Sequence, residues 1–430
     1  MHCVCGIFSI LSVCLISFTP PCDGGNILVF PLDGSHWINM KILLEELHAR
    51  GHSITVIRAS NSWYIPEKSP LYTSINMELS KGMEDILDVY LQQHMQQEFL
   101  VGPVYDALCE KYIEGGCDII SLLQEADIWL FRSDFVFEFP RPTMPNVIYI
   151  GGFQCKPAQP LPADLEDFVQ SAGEHGVIIM TLGTFVNALP KEVANEIASV
   201  FAKMPQKTKS RSYARAATRM TGGDTSEEDA TSVELQVIWR HKGERPSTLG
   251  NNTLIVDWMP QKDLLGHPQT KVFVAHGGTN GVQEAIYHGV PVLGIPLFFD
   301  QYDNLLRLQH RGAGKIIELA DVSRHSFEQG INEVLHHDSY RQNMQRLSRL
   351  HRDQPMAPMD QATFWVEYVM RNKGAPHLRT EAYKMPWYSY YGLDVLLLLL
   401  TIATVMLLLT FAMFRFLCCR ARRKTKSKQH

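Results

Sequence analysis

The sequence is poor in the features that would assign it to several common classes of protein. Its 430 residues carry a formal net charge of -5 at pH 7, which gives no reason to expect a nucleic-acid partner. No predicted first strand leads into a GxGxxG turn with an acidic residue beyond it, so a dinucleotide-dependent oxidoreductase is a distant alternative. No spacing of Cys and His is typical of a zinc site, and no metal or cofactor is expected.

Cysteine is also scarce in the part of the chain that should fold. Five of the nine cysteines lie in or beside the apolar runs at the two chain ends, and Cys22 stands at the edge of the first run. This leaves Cys109, Cys117 and Cys155, which are too few and too irregularly spaced for a disulfide framework. The hydrophobic share of 45% and the length instead indicate a globular protein with two ordinary domains.

Charged residues are absent from two apolar runs, one near each end of the chain. Residues 4–18 are followed by prolines and glycines and predict a signal peptide over residues 1–24, although no Lys or Arg precedes them. Residues 395–414 predict a transmembrane helix over residues 393–417. A basic tail with dilysine-like spacing follows over residues 418–430, so the sequence predicts a single-pass type I protein of the endoplasmic reticulum membrane with its main part in the lumen.

Between these runs, alternating apolar segments predict an α/β fold. Residues 26–30, 38–50 and 53–58 have the patterns of a strand, a helix and a strand, which open a βαβ unit. The alternation weakens after Trp63 and returns at Gly176. We predict a first domain over residues 25–155, a linker over 156–175, a second domain over 176–372 and a juxtamembrane segment over 373–392.

Polar residues that could bind a ligand or take part in a reaction are concentrated in residues 257–301. An apolar run at 272–275 leads into the sequence His-Gly-Gly-Thr-Asn-Gly at 276–281 and then into a helical pattern. A glycine turn between a strand and a helix lets the backbone approach a phosphate, and the helix N-terminus favours its charge. Because the ends of parallel strands converge on one crevice, the polar residues flanking the neighbouring strands should meet there. Taken singly, each of them is more typical of a packing aromatic, a turn residue or a helix cap.

This stretch resembles the signature of the UDP-glycosyltransferases, specifically the membrane-anchored vertebrate UDP-glucuronosyltransferases. The resemblance implies a GT-B fold with two Rossmann-like domains, in which the tryptophan stacks on uracil, the glutamate binds the ribose and the His-Gly-Gly turn holds the diphosphate. It implies that nine residues bind the UDP-sugar: Trp258, Gln261, His276, Gly278, Thr279, Asn280, Glu284, Asp300 and Gln301.

His36 is the candidate catalytic base. It lies between the first predicted strand and its helix, where the helix dipole disfavours the imidazolium form, and in a loop a capping role would otherwise be expected. The resemblance assigns it the removal of a proton from an acceptor hydroxyl, followed by displacement of UDP with inversion. It also implies UDP-glucuronic acid, or another UDP-sugar such as UDP-glucose, as co-substrate, small lipophilic phenols, steroids or xenobiotics as acceptors, and no metal. The sequence leaves the choice between glucuronic acid and glucose open.

Two departures from the family pattern leave the function open. The first domain is short, and nothing in it matches the strand that ends in the catalytic Asp of similar proteins; Asp127 and Asp134 lie in a different, non-catalytic context. Residues 206–236 are polar and read as a disordered insertion. The alternative to an active transferase is therefore a catalytically poor, UDP-sugar-binding or regulatory partner that forms oligomers with related transferases. A single glycosylation sequon begins at Asn251.

Overall fold

Strands and helices alternate along most of the chain in the computed structural model, which describes residues 24–31, 34–60, 62, 64–77, 119–183, 186, 189–204 and 235–426. The strands are β1 (Asn26–Val29), β2 (Ser53–Ala59), β3 (Thr73–Met77), β4 (Trp129–Phe131), β5 (Val147–Tyr149), β6 (Val177–Thr181), β7 (Gln236–Arg240), β8 (Thr253–Val256), β9 (Thr270–Ala275), β10 (Val292–Gly294) and β11 (Gly314–Ile316). The helices are α1 (Ser35–Ala49), α2 (Ile119–Gln124), α3 (Ala163–Gln170), α4 (Lys191–Phe201), α5 (Gln261–Gly266), α6 (Thr279–His288), α7 (Gln301–His310), α8 (Arg324–His336), α9 (Asp338–Arg352), α10 (Pro358–Asn372), α11 (Trp387–Tyr390) and α12 (Leu393–Lys426). Short 3-10 helices occupy Leu319–Asp321, Pro376–Leu378 and Glu381–Lys384.

The first domain is built on a parallel sheet in the order β1-β2-β3, with β4 and β5 as a separate parallel pair. Alternate residues of β2, including Ile54 and Val56, are buried in one core with Trp37 of α1, whose ring meets Tyr72 edge-on at 5.5 Å. The predicted βαβ opening is confirmed. The strand β3 was not predicted, because its sequence TSINM carries too few apolar residues to stand out.

The second domain contains a six-stranded parallel sheet in the order β11-β10-β9-β6-β7-β8. Every residue of β6 is buried, as expected for the central strand of a sheet that helices cover on both faces. The chain leaves β6 towards β7 on one side and later returns to β9 on the other, so the strand order reverses between β6 and β9. In open α/β sheets such a reversal opens a crevice at the carboxyl ends of the strands, where ligands bind.

Two predicted boundaries need correction. The predicted linker, 156–175, contains the helix α3, whose Leu165 and Val169 are buried in the core of the second domain. The predicted insertion, 206–236, extends too far: Leu235 is buried and Gln236 already belongs to β7, while the rest lies outside the described residues. Leu235 follows a long polar stretch, so the composition did not mark it as the start of a buried segment.

All the sheets belong to one structural unit, formed by the described parts of residues 1–96, 128–143 and 147–374. A second unit combines the described parts of residues 97–127 and 375–430 with residues 144–146. Within it, Asp127, three residues after α2, pairs with Arg379 at 2.7 Å. Its helix α12 includes the apolar stretch Leu393–Arg420, which is long enough to cross a membrane, and continues past the predicted end at 417. The predicted signal peptide, 1–24, lies outside the described residues except for Gly24.

Candidate functional site

His276 stands at the reversal point of the second sheet, directly after β9. Its ring lies between the backbones of two glycines: a Cβ on Gly183, which follows β6, would come within 2.7 Å of its Nε2, and a Cβ on Gly278 within 2.5 Å. These glycines are therefore required for the packing of the imidazole itself. Burial lowers the pKa of His276 to about 4, against the opposing effects of Asp300 and the Thr181 backbone, so the ring is neutral at pH 7.

The helix α6 begins at Thr279, immediately after the turn that contains Gly277 and Gly278. Gly277 has a φ of 91°, a conformation that side chains rarely adopt. The amides of the first turn of α6 have no partner within the helix, and they carry its positive dipole end. The crevice is thus suited to an anion such as a diphosphate.

Asp300 is tied to the first turn of α6 through one of its oxygens. Its Oδ2 accepts hydrogen bonds from Thr279 Oγ1 at 2.9 Å and from Asn304 Nδ2 at 2.8 Å, and the same Nδ2 donates to the Gly277 carbonyl at 3.0 Å. The residue before it, Phe299, has a φ of 58°, which is strained for a residue with a side chain. The strained backbone and the hydrogen bonds together hold the carboxylate beside the turn.

Gln301 is adjacent to Asp300 in sequence but is placed differently. Its side chain is buried, and its Oε1 accepts hydrogen bonds from the backbone N–H groups of Leu297 at 2.8 Å and Phe298 at 3.1 Å. The described contacts of Gln301 therefore shape the loop between β10 and α7 that presents Asp300.

A second polar group lies further along α6. Gln261, at the start of α5, donates from Nε2 to Oε2 of Glu284 at 2.7 Å. Burial raises the pKa of Glu284 to about 7, although the hydrogen bond from Gln261 and the charge of Lys262 oppose this shift. Trp258, just upstream, leaves 67% of its surface exposed, so a planar base can reach its ring.

The first domain contributes His36, Asn39 and Arg132 to the same crevice. His36 lies in the first turn of α1, and Asn39, buried one turn later, donates from Nδ2 to Asn280 Oδ1. Arg132, directly after β4, donates to the same Oδ1 at 3.3 Å. The two domains therefore meet at the N-terminus of α6 through the side chain of Asn280.

The pKa of His36 is lowered from its ordinary value near 6.5. Partial desolvation is the main cause, the positive charge of Arg132 adds to it, and the negative charge of Asp300 opposes it. Among the described residues, no carboxylate forms a hydrogen bond or ion pair with His36. His36 is thus neutral near pH 7, mainly because it is partly desolvated, and the nearby charge of Arg132 favours the same form.

Two arginines of the crevice were not predicted from the sequence. Arg132 follows β4 and Arg240 ends β7, where it donates to the carbonyl oxygen of Gly183. The Nε of Arg240 is buried and has no hydrogen-bond partner within the described part of the chain. A charged residue at the carboxyl end of an apolar strand was the available signal, as in the sequences WLFR and VIWR.

Comparison with known proteins places the chain among sugar transferases. The model of the family described as UDP-glucoronosyl and UDP-glucosyl transferase matches residues 25–100, 74–211 and 229–429. UDP-glucuronosyltransferase 2C1 of Oryctolagus cuniculus is 42% identical over 348 residues, which cover 81% of this chain and 63% of the relative. UDP-glucuronosyltransferase 2A2 of Homo sapiens is 32% identical over 537 residues, covering 94% of each, and 2B1 of Rattus norvegicus is 34% identical over 544 residues, covering 95% of this chain and 96% of the relative.

Two further facts bear on the short first domain and on the fold. The longer alignments exceed the 430 residues of this chain, so these relatives carry segments without a counterpart here. The calicheamicin glycosyltransferase CalG4 superposes with a TM-score of 0.54 at 14% identity, over 81% of this chain and 99% of that one. The glycosyltransferase of kitacinnamycin gives 0.54 at 18%, over 80% and 98%. The fold is the two-domain GT-B architecture, and the chain belongs to the UDP-glucoronosyl and UDP-glucosyl transferase family.

Proposed function

We propose that this protein transfers glucuronic acid from its UDP-sugar to a hydroxyl group of small lipophilic acceptors, with inversion at the anomeric carbon. The choice of glucuronic acid as the sugar rests on the position of Arg132. The guanidinium of Arg132 is partly desolvated, which lowers its pKa. It lies close enough to His36 and Asp300 in the crevice for the charges to interact. A desolvated cation is stabilised by an anionic partner, and the fork geometry of a guanidinium matches a carboxylate. A neutral hexose would offer Arg132 only hydroxyl groups.

The donor nucleotide is proposed to lie along the second domain. Uracil stacks on the exposed ring of Trp258, and the ribose hydroxyls bond to Glu284 beside Gln261. The diphosphate meets the amides of Gly278, Thr279 and Asn280 at the start of α6. The sugar hydroxyls face Asp300, and Gln301 shapes the loop that presents it.

In the reaction, neutral His36 takes the proton of the acceptor hydroxyl as its oxygen attacks the anomeric carbon from the face opposite the diphosphate. The bond to UDP breaks, and the developing charge on the leaving oxygen is met by the α6 amides. The helix dipole supplies the stabilisation that a metal ion gives in other transferases.

The proposed setting is the endoplasmic reticulum, with α12 crossing the membrane once and the two domains in the lumen. The apolar stretch Leu393–Arg420 supports the anchor, and the basic residues after it support a cytosolic tail. Asn251 offers a test, because it is exposed in a turn and begins a sequon. Loss of an endoglycosidase-sensitive mass shift in Asn251→Gln would support a lumenal second domain, whereas an unglycosylated wild-type chain that accepts glycans only at sequons added to the tail would reverse the orientation.

The function is tested by measuring sugar transfer in membranes that express this chain alone. Labelled UDP-glucuronic acid and UDP-glucose are offered with a panel of phenols, beside His36→Ala and Arg132→Ala. We expect transfer from UDP-glucuronic acid that His36→Ala abolishes, and a loss of preference for the acidic donor in Arg132→Ala. Binding of UDP without any transfer would contradict the proposal and would instead favour the UDP-sugar-binding or regulatory partner.

A further inference from the structure

The residue Gln283 on α6 occupies an unusual position between the two domains. It lies one helical turn after Asn280, its exposed fraction is 1%, and both ends of its side-chain amide form hydrogen bonds. Its Oε1 accepts from the backbone N–H of Gly152 at 3.2 Å and from Nε2 of Gln154 at 3.0 Å. Its Nε2 donates to the backbone carbonyl of Arg132. All three partners belong to the first-domain strand ends and lie more than a hundred positions away in sequence.

These contacts mean that α6 holds Arg132 at two points. Gln283 binds the backbone carbonyl of Arg132, and Asn280 accepts a hydrogen bond from its guanidinium at 3.3 Å. Residues three apart on a helix face the same side, so the two contacts are made by one face of α6. With the backbone and the far end of the side chain both held, the guanidinium is restricted to a narrow range of positions.

The surroundings of Gln283 add rigidity to the same strand ends. The backbone N–H of Gly151 donates to the Ser133 carbonyl at 2.9 Å, which ties the segment after β5 to the segment after β4. The carboxylate of Asp134, two residues after Arg132, forms a partly buried hydrogen bond with Nδ1 of His351 in α9. Gln283 is the member of this cluster that contacts the backbone of Arg132 directly.

A buried amide must satisfy its hydrogen-bonding groups, and that requirement alone would give Gln283 a structural role. The positions of its hydrogen-bond partners indicate a further role for Gln283. None of its three hydrogen bonds is made within the second domain, and one of them ends on the residue that carries the proposed sugar-recognition charge. Charge-assisted recognition of a carboxylate by a guanidinium depends on direction, so a displaced backbone would weaken it selectively.

We propose that Gln283 is a positioning residue that sets the guanidinium of Arg132 and thereby the preference for an acidic sugar donor. This inference rests on the proposed function, in which Arg132 binds the sugar carboxylate. Gln283 itself does not touch the substrate. The bare nucleotide lacks the sugar, so its binding should not depend on Gln283.

The test measures equilibrium binding of UDP-glucuronic acid, UDP-glucose and UDP to the full chain in detergent micelles. The variant Gln283→Met keeps the length of the side chain and removes its hydrogen bonds. We expect the affinity for UDP-glucuronic acid to fall about tenfold, the order of one directional hydrogen bond, while the affinities for UDP-glucose and UDP stay within a factor of about two. If Gln283→Met does not fold, Gln283→Glu keeps an acceptor for Gly152 and Gln154 and replaces the donor to the Arg132 carbonyl with a second carboxylate oxygen, so the same loss of preference for UDP-glucuronic acid is expected.

A matched control separates positioning from loss of stability. Asn252 is also buried and donates from Nδ2 to two backbone carbonyls, those of Phe201 and Leu235, both at 3.0 Å and both within the second domain. Asn252→Leu should lower the free energy of unfolding to a similar extent and leave the ratio of the donor affinities unchanged. A shift of that ratio in Asn252→Leu equal to the shift in Gln283→Met would overturn the inference.

A double-mutant cycle completes the test. In the Arg132→Ala background, Gln283→Met should cause no further loss of affinity for UDP-glucuronic acid. Additive losses would show that Gln283 acts independently of Arg132 and would overturn the positioning role. If Arg132→Ala alone leaves the donor preference unchanged, the proposed choice of sugar fails first, and that failure is visible without any Gln283 variant.

Discussion

Glu284 is buried at a position where ionisation of its carboxyl group destabilises the fold. Replacing it should therefore increase the stability of the chain and weaken its binding of UDP. Burial raises its pKa from 4.5 to about 7, against a hydrogen bond from Gln261 and the charge of Lys262. An ionised carboxylate is nevertheless the form that accepts hydrogen bonds from ribose hydroxyls. We therefore expect Glu284→Gln to be more stable than the natural chain at neutral pH and to bind UDP less tightly.

The size of this effect follows from the pKa. Because the folded chain binds the proton of Glu284 more tightly than the unfolded chain, the free energy of unfolding falls as pH rises from 4.5 to about 7, and it stays lower above that. A pKa difference of one unit corresponds to 1.36 kcal/mol, so the whole decrease is about 3 kcal/mol, of which about 2 kcal/mol falls between pH 5.5 and pH 8. Glutamine carries no charge and shows no such decrease.

The assay is denaturant unfolding of the natural chain and of Glu284→Gln at pH 5.5 and pH 8, with UDP affinity measured on the same samples. The stability advantage of the variant should be about 2 kcal/mol larger at pH 8 than at pH 5.5. Glu333 provides a control of opposite sign, because hydrogen bonds from Lys315 and Tyr340 lower its pKa. Glu333→Gln should lose stability equally at both pH values, since its titration lies below 4.5. An advantage of Glu284→Gln that does not change with pH would refute the reasoning.

Three other variants test the crevice. The low-pH decline of kcat/KM should have its midpoint below pH 6.5, because the pKa of His36 is lowered in the free enzyme. With UDP-glucose as donor, Arg132→Ala should move that midpoint to higher pH by removing a positive charge, and an unmoved midpoint would dissociate the decline from His36. Trp258→Ala should weaken UDP binding about fivefold or more in a titration, because stacking on a base contributes about 1–3 kcal/mol, and unchanged affinity would place uracil elsewhere. Gly278→Ala should lower both UDP affinity and the melting temperature, since the added Cβ would stand 2.5 Å from Nε2 of His276, and a normal melting curve would contradict this packing.

Structural elements that are formed by residues adjacent in the sequence could be predicted. The strand β9, the glycine turn and the helix α6 follow one another without interruption, so their apolar and glycine patterns were sufficient to predict this strand, turn and helix. The apolar run that became α12 was equally visible, because a membrane-spanning helix is defined by composition alone. The boundaries were less certain: the helix α3 inside the predicted linker is recognisable only from what Leu165 and Val169 contact.

The sequence by itself determined that this chain has an α/β fold with a crevice beside a glycine turn, since periodicity and turn residues act over a few positions. Only the tertiary structure decided which distant residues complete that crevice. Arg132 is separated from Asn280 by 148 positions and from Gln283 by 151, and no local pattern relates them. Their meeting depends on how the ends of β4 and β5 pack against α6. The same packing brings the charge of Arg132 near His36, where it adds to the lowering of the pKa that desolvation mainly causes.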